Sequence, residues 1–284
     1  MRGQPDPARD WTALDQGEFL REWHSRFAGA TSRTFKYGRV EGTRGSSYDL
    51  LVDDIASLPD ADHIVDLACG DGYLIELLTG RMPDAAITGV DLSEQELNLA
   101  RKRRLGERVA LVIAPAVALP LANGSAAAVV SHLALMLFED ARAVIREMAR
   151  VLRPRGVFAA VLGPAAGTSP MVADFLRDLR EIEAAENLPP LRIGDSSTYS
   201  VESLKELFSD DEWSSIEVSD VRVRFDGPGE QAESMLLAMY NVARLSNTGR
   251  VDLARRLRQA ISNARLAGES LECVLGSRHI VARR

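Results

Sequence analysis

The chain predicts an α/β fold built on a doubly wound parallel sheet, and three observations carry that expectation. Short apolar runs alternate with helical patterns from Tyr48 to Leu162; two of these runs end in a carboxylate beside small residues; and the alternation stops after Gly163. Strands that alternate with helices in this way pair in parallel, with helices on both faces.

Taken in order, the chain opens with Pro5 and Pro7, then a helical pattern from Leu14 to Phe27, then a glycine-spaced stretch from Tyr37 to Tyr48. This segment reads as a lid that stays out of the sheet. Leu50, Leu51, Ile55 and Leu58 recur at helical spacing and place a helix before the first strand, Ile64 to Leu67. That strand stops at Ala68-Cys69-Gly70-Asp71-Gly72, where glycine lets the backbone turn tightly, and leads into the helical pattern Tyr73 to Leu78. A second strand, Ala86 to Val90, ends at Asp91, 25 positions after Asp66. A third strand precedes Leu119-Pro120-Leu121, Val129 to His132 reads as the fourth, and Asp140 to Leu152 as a helix with Val144, Ile145, Met148 and Val151 on one side. A fifth strand spans Val157 to Leu162. Helices are then expected at Ser169 to Ala185, Ser200 to Phe208 and Glu230 to Leu266, the last broken near Asn247-Thr248-Gly249, with strand patterns at Ile216 to Phe225 and Leu271 to Ala282.

A carboxylate that closes the second strand, about 20 residues beyond a glycine turn, suits a ribose. A dinucleotide site asks for G-x-G-x-x-G, so that a pyrophosphate can rest on the helix N-terminus. Here Gly70 and Gly72 are followed by Leu74 and Ile75, and the third glycine is missing. The segment instead resembles motif I of the class I S-adenosylmethionine-dependent methyltransferases, with Ala68 in the first glycine position. The other motifs follow in the family's order: Asp91-Leu92-Ser93, Leu119-Pro120-Leu121, Val129-Val130-Ser131-His132, and Leu152-Arg153-Pro154-Arg155-Gly156. Pro115 departs from the acidic residue that often contacts adenine, and Arg155 from the first glycine of the usual turn.

The resemblance implies a Rossmann-like, seven-stranded sheet with a helical cap and an N-terminal lid. Its parts are a lid at 1–48, an S-adenosylmethionine-binding core at 49–163, and cap insertions with the last two strands at 164–284. It implies S-adenosylmethionine as cofactor and S-adenosylhomocysteine as product. In open sheets ligands bind beyond the carboxyl ends of the strands, at the switch point. The cofactor set is therefore Asp66, Ala68, Cys69, Gly70, Asp91, Leu92, Ala116, Ser131 and His132, with Arg44, Ser46 and Ser47 of the lid meeting the methionine carboxylate. Asp91 is the expected acceptor for both ribose hydroxyls, with Ser93 as the helix cap beside it. Asp66 is expected to bond the turn's amides, or to reach the methionine amino group through water. Ala116 would offer a backbone group to adenine.

Methyl transfer from a sulfonium is an in-line displacement, so positioning comes first and any proton removal second. His132 stands at a strand end facing the crevice and is the candidate general base; His24 reaches the site if its helix is a lid. His63 and His279 read as structural, and Tyr37 and Tyr48 as packing.

Composition narrows the partners. The 284 residues carry 34 Lys and Arg against 41 Asp and Glu, a net charge of −7 and a pI near 5.3, so non-specific nucleic-acid binding is not expected. Cys69 and Cys273 are the two cysteines, a usage that fits a reducing compartment, and no apolar run is long enough for a membrane span. A cytoplasmic enzyme follows. No metal-ligand spacing, nucleophile elbow or phosphate-loop lysine is visible. The expected acceptor is an oxygen or nitrogen of a small molecule, in the manner of secondary metabolism and antibiotic biosynthesis, with a homodimer left open. The alternatives are a methyltransferase of RNA or protein, and a fold that binds the cofactor without transferring its methyl group.

Overall fold

The computed structural model describes residues 14–225, 230–268 and 272–284. Pro5, Pro7 and Leu271, the first residue of the last expected strand, lie outside the described residues.

The described chain runs α1 (Gln16–Arg26), α2 (Ala30–Phe35), β1 (Gly38–Val40), α3 (Ser47–Ala56), β2 (His63–Leu67), α4 (Tyr73–Arg81), β3 (Ala86–Asp91), α5 (Glu94–Ala100), β4 (Val109–Ile113), β5 (Ala126–His132), α6 (Ala141–Val151), β6 (Leu152–Leu162), α7 (Pro170–Ala185), α8 (Val201–Leu207), β7 (Ser215–Phe225), α9 (Glu230–Leu237), α10 (Tyr240–Arg244), α11 (Asn247–Leu266) and β8 (Cys273–Arg283). One sheet takes the order β1-β7-β8-β6-β5-β2-β3-β4. The strands from β2 to β6 pair in parallel, whereas β8 is antiparallel to both β6 and β7. Strand order reverses between β2 and β5, and a crevice opens there.

Alternation along the strands supplies both faces with core. Val65, Leu67 and Val129 pack with Val144, Ile145 and Met148 of α6, while Ile64, Ala128 and Val130 pack with Leu51 and Ile55 of α3 and Leu74, Ile75 and Leu78 of α4. A third cluster joins the far ends of β7 and β8, through Val223, Phe225 and Leu275, to Phe175 and Leu179 of α7 and Leu253 and Leu257 of α11. These helices cap the sheet beyond β6.

One expectation is corrected. The segment before α3 is not wholly a lid, because Gly38–Val40 pairs antiparallel with Val223–Phe225 and adds an eighth strand. Val40 is buried beneath that edge, and a Cβ at Gly38 would lie 2.6 Å from Val223 Cγ1, so only glycine lets the strand approach this closely.

Of the four non-glycine residues with a left-handed backbone among the described residues, Ala68, Leu133, Arg155 and Asn187, two fall in the motif turns. Ala68 has φ 57° in the turn after β2, and Arg155 has φ 66° where the family's turn has glycine. Both side chains sit where Cβ crowding costs about 1 kcal/mol or more.

Candidate functional site

The crevice beyond β2, β3 and β5 is a cavity of about 930 Å³, and α1 forms part of its wall. Its floor is the turn Ala68–Asp71, which stays open because Gly70 and Gly72 hold φ of 53° and 75°. A Cβ at Gly72 would come within 2.9 Å of Ala100 Cβ, so the turn also sets how closely α4 approaches α5.

Asp91 organises this floor. Its Oδ2 accepts the Gly70 amide at 2.8 Å and its Oδ1 accepts the Ser93 amide at 2.8 Å, so both oxygens are fixed in direction while each keeps capacity for a further donor, and the residue lines the cavity. Ser93 caps α5 by accepting the Glu96 amide at 3.3 Å, which leaves Asp91 out of that role.

Of the two roles expected of Asp66, bonding the amides of the turn is not what the structure shows. Asp66 is buried, its Oδ2 has no hydrogen-bond partner among the described residues, and the Gly70 amide of the turn goes to Asp91 while the Cys69 and Gly72 amides go to backbone carbonyls. Burial first, then the Asp91 and Asp71 carboxylates, push its carboxyl well above the usual range. Burial raises the Cys69 thiol in the same way, so this sulfur stays protonated as a small filler.

His132 is enclosed by Tyr48, stacked on it with ring centroids 3.6 Å apart, and by Phe35 at 5.8 Å edge to face. Its Nε2 pairs with the Ser47 hydroxyl at 2.8 Å, and its Nδ1 has no partner among the described residues. Burial alone pulls its pKa down to about 3. The imidazole is therefore neutral and weakly basic at neutral pH.

The crevice wall includes Asp66, Ala68, Cys69, Gly70, Asp91, Leu92, Ala116, His132 and His24 of the expected set. Four others lie elsewhere. Arg44 is exposed on a separate small surface pocket beside Ser46, and Ser46 caps α3 in a reciprocal pair with Asp49. Ser47 stands behind His132, and Ser131 donates to the Leu67 carbonyl at 3.0 Å inside the sheet. The three serines share a cause: each is a small polar group used to satisfy backbone or a neighbouring side chain, which a linear motif does not distinguish from a ligand contact.

Sequence reasoning missed the groups that tie the lid to the core. Trp23 and Phe19 of α1 pack on Ala243 and Tyr240 of α10, and Gln16 bridges two loops, donating to the Leu137 carbonyl at 3.3 Å and accepting the Gly194 amide at 3.0 Å. Ser32 of α2 donates to Asp71 at 2.6 Å, and Arg103 bonds the same carboxylate at 2.6 Å. Glu96, three residues beyond the Ser93 cap, turns its carboxylate to the Gly29 amide at 2.9 Å and to His24. A Ser-x-x-Glu pattern was the available signal; Tyr240, 216 positions from His24, had none.

Residues 65–160 match the family model described as a methyltransferase domain. The core of the chain is a class I S-adenosylmethionine-dependent methyltransferase domain. The chain is 38% identical over 128 residues to a malonyl-[acyl-carrier protein] O-methyltransferase of Laribacter hongkongensis, covering 42% of this chain and 40% of that protein. It is 36% identical over 98 residues to the ubiquinone/menaquinone biosynthesis C-methyltransferase UbiE of Desulfotalea psychrophila, covering 34% and 40% respectively. The chain thus matches about 40% of the length of these curated relatives. Among solved structures, the [4+2]-cyclase SpnF superposes with a TM-score of 0.56 at 18% identity, covering 99% of this chain and 98% of that one, which shows a shared fold. This methyltransferase core contributes the strands β2 to β6 and the turn that Asp91 holds.

Proposed function

We propose that the protein is an S-adenosylmethionine-dependent methyltransferase whose acceptor is an oxygen or nitrogen of a small molecule, of natural-product type, enclosed beneath α1. The observation that carries this reading is the Asp91 carboxylate, fixed by the Gly70 and Ser93 amides at the switch point and open toward the cavity. The two acceptor oxygens of such a carboxylate match the paired hydroxyl donors of a ribose.

The remaining residues fit the rest of an adenosyl sulfonium. Leu92 and Val117 are exposed apolar side chains on the crevice wall, 59% and 49% accessible, and would gain by covering an adenine face, with Ala116 nearby for an edge contact. The orphaned Oδ2 of Asp66 would accept from an ammonium, and a cation there would favour its ionised form. When bound, the cofactor supplies a methyl group on a positively charged sulfur. The chain holds donor and acceptor in line and excludes water, with Gln16 and Trp23 keeping the lid seated. Neutral His132 acts here as a wall beside the methionine end.

The wall also carries Glu18, Asp66, Asp71, Asp91, Glu96 and Glu139 against Arg21, an acidic lining that favours neutral or cationic guests over RNA. Residues 49–163 serve as the cofactor core, and 164–284 as the cap and the closing strands. Both cysteines are unpaired, in keeping with a cytoplasmic setting. Among the described residues no helix is long and apolar enough to cross a membrane. Methyl-labelled S-adenosylmethionine, incubated with the full chain and a fractionated small-molecule extract, tests the reading: label entering a small product supports it, and label entering RNA or protein alone overturns the acceptor class.

A further inference from the structure

Two histidines face the same cavity, and their surroundings differ in one respect. His132 has no carboxylate at its ring nitrogens, whereas His24 has one on one side and a hydroxyl on the other. Glu96 is buried, with its Oε2 fixed by the Gly29 amide at 2.9 Å and its Oε1 3.4 Å from His24 Nδ1. On the far side of the ring, Nε2 lies 3.1 Å from the Tyr240 hydroxyl. Glu96, His24 and Tyr240 all line the cavity, and they come from three separate elements, α5, α1 and α10.

The row has a direction. Burial first, and then the Glu96 and Asp91 carboxylates, push the Tyr240 phenol well above its ordinary value, so it remains an O–H donor. A donor at Nε2 leaves that nitrogen as the acceptor, so the proton of neutral His24 sits on Nδ1 and faces Glu96. This is the arrangement in which a carboxylate orients an imidazole and stabilises its protonated form.

We propose that Glu96, His24 and Tyr240 form a proton-abstraction relay for the acceptor, and that the acceptor atom is a hydroxyl oxygen. The inference rests on the methyltransferase reading and adds to it the acceptor's chemistry and the identity of the base. The hydroxyl proton passes to the Tyr240 oxygen as the phenolic proton passes to His24 Nε2. The oxygen forms its bond to the methyl carbon, the carbon–sulfur bond breaks with its pair left on sulfur, and Glu96 balances the imidazolium until its proton leaves for solvent. Because α1 carries the base and α10 the phenol, the relay is assembled only when the lid is seated.

His24 contacts Glu96 from the core and Tyr240 from the cap, and the same cavity wall carries Asp91 and Asp71 of the core and Arg21 and Glu22 of its own helix. Nitrogen-15 spectra of the full chain, labelled at histidine and saturated with S-adenosylhomocysteine, read the row without needing the acceptor. The expected result is a bare Nε2 and a protonated Nδ1 at His24, with the Nε2 resonance moving by several parts per million in Tyr240→Phe and the tautomer becoming mixed in Glu96→Gln. A proton on Nε2, or a His24 signal indifferent to both substitutions, overturns the relay. Diethyl pyrocarbonate adds a second reading: it should acylate His24 faster in Tyr240→Phe, where the lone pair is uncovered, and an inert His24 in that variant contradicts access from the cavity. If S-adenosylhomocysteine binds neither parent nor variant in calorimetry, it is the methyltransferase reading that fails, while the tautomer still decides the relay.

Discussion

At the scale of single residues, burial decides protonation before any chemistry begins. His132 carries its neutral form into a pocket of aromatic rings, so the unfolded chain takes up a proton there well before the folded chain does. Its folded pKa of about 3 lies below the ordinary value of 6.5, and the stability tied to it is complete above 6.5 and is lost as the pH falls toward 3. The expected loss is about 2 kcal/mol by a pH of about 5. Chemical denaturation of the parent and of His132→Gln across that window checks this: the variant should show the shallower pH dependence, and equal slopes would remove the burial argument. The same reasoning explains why sequence alone ranked His132 above His24. A histidine at a strand end signals exposure to the crevice, but the absent counter-charge is visible only in three dimensions.

At the scale of elements, the sheet was legible and the seat of the lid was not. The strands β2, β3, β5 and β6 announce themselves as short apolar runs closed by small residues, because a parallel strand buried on both faces needs apolar side chains throughout. The edge strand β1 has three residues and a glycine and no such signal; it exists because Val223 and Phe225 offer an edge to it. Likewise α1 was legible as a helix while its seat was not, since Phe19 and Trp23 meet α10 more than 200 positions along the chain. The place of Asp91 beside the glycine turn at the crevice was legible because a strand end and a tight turn are local features. Arg44 and Ser46 were misplaced because the fold sends their segment to an edge pocket. The lid's seat yields an expectation of its own. Trp23→Ala should release α1 at a cost of about 3 kcal/mol, speeding exchange of its amides roughly a hundredfold while the amides of β2 and β5 keep their protection. Hydrogen exchange with mass detection reads both, and uniform acceleration would mean that α1 is part of the global core.

At the scale of the whole molecule, the parts converge on one crevice. The reversal of strand order between β2 and β5 opens it, Asp91 fixes its floor, and the cap helices bring Tyr240 to a lid helix that carries His24. An acidic cavity in an acidic chain favours a cation over a polyanion, in keeping with the sulfonium proposed for it. The central claim is that the Asp91 carboxylate holds the ribose of that ligand. Isothermal calorimetry of S-adenosylhomocysteine on the parent and on Asp91→Ala measures it directly. The account predicts binding to the parent and a loss of about 1 to 3 kcal/mol in the variant, tenfold to a hundredfold in affinity. An unchanged affinity in Asp91→Ala, or no binding to a folded parent, would contradict it.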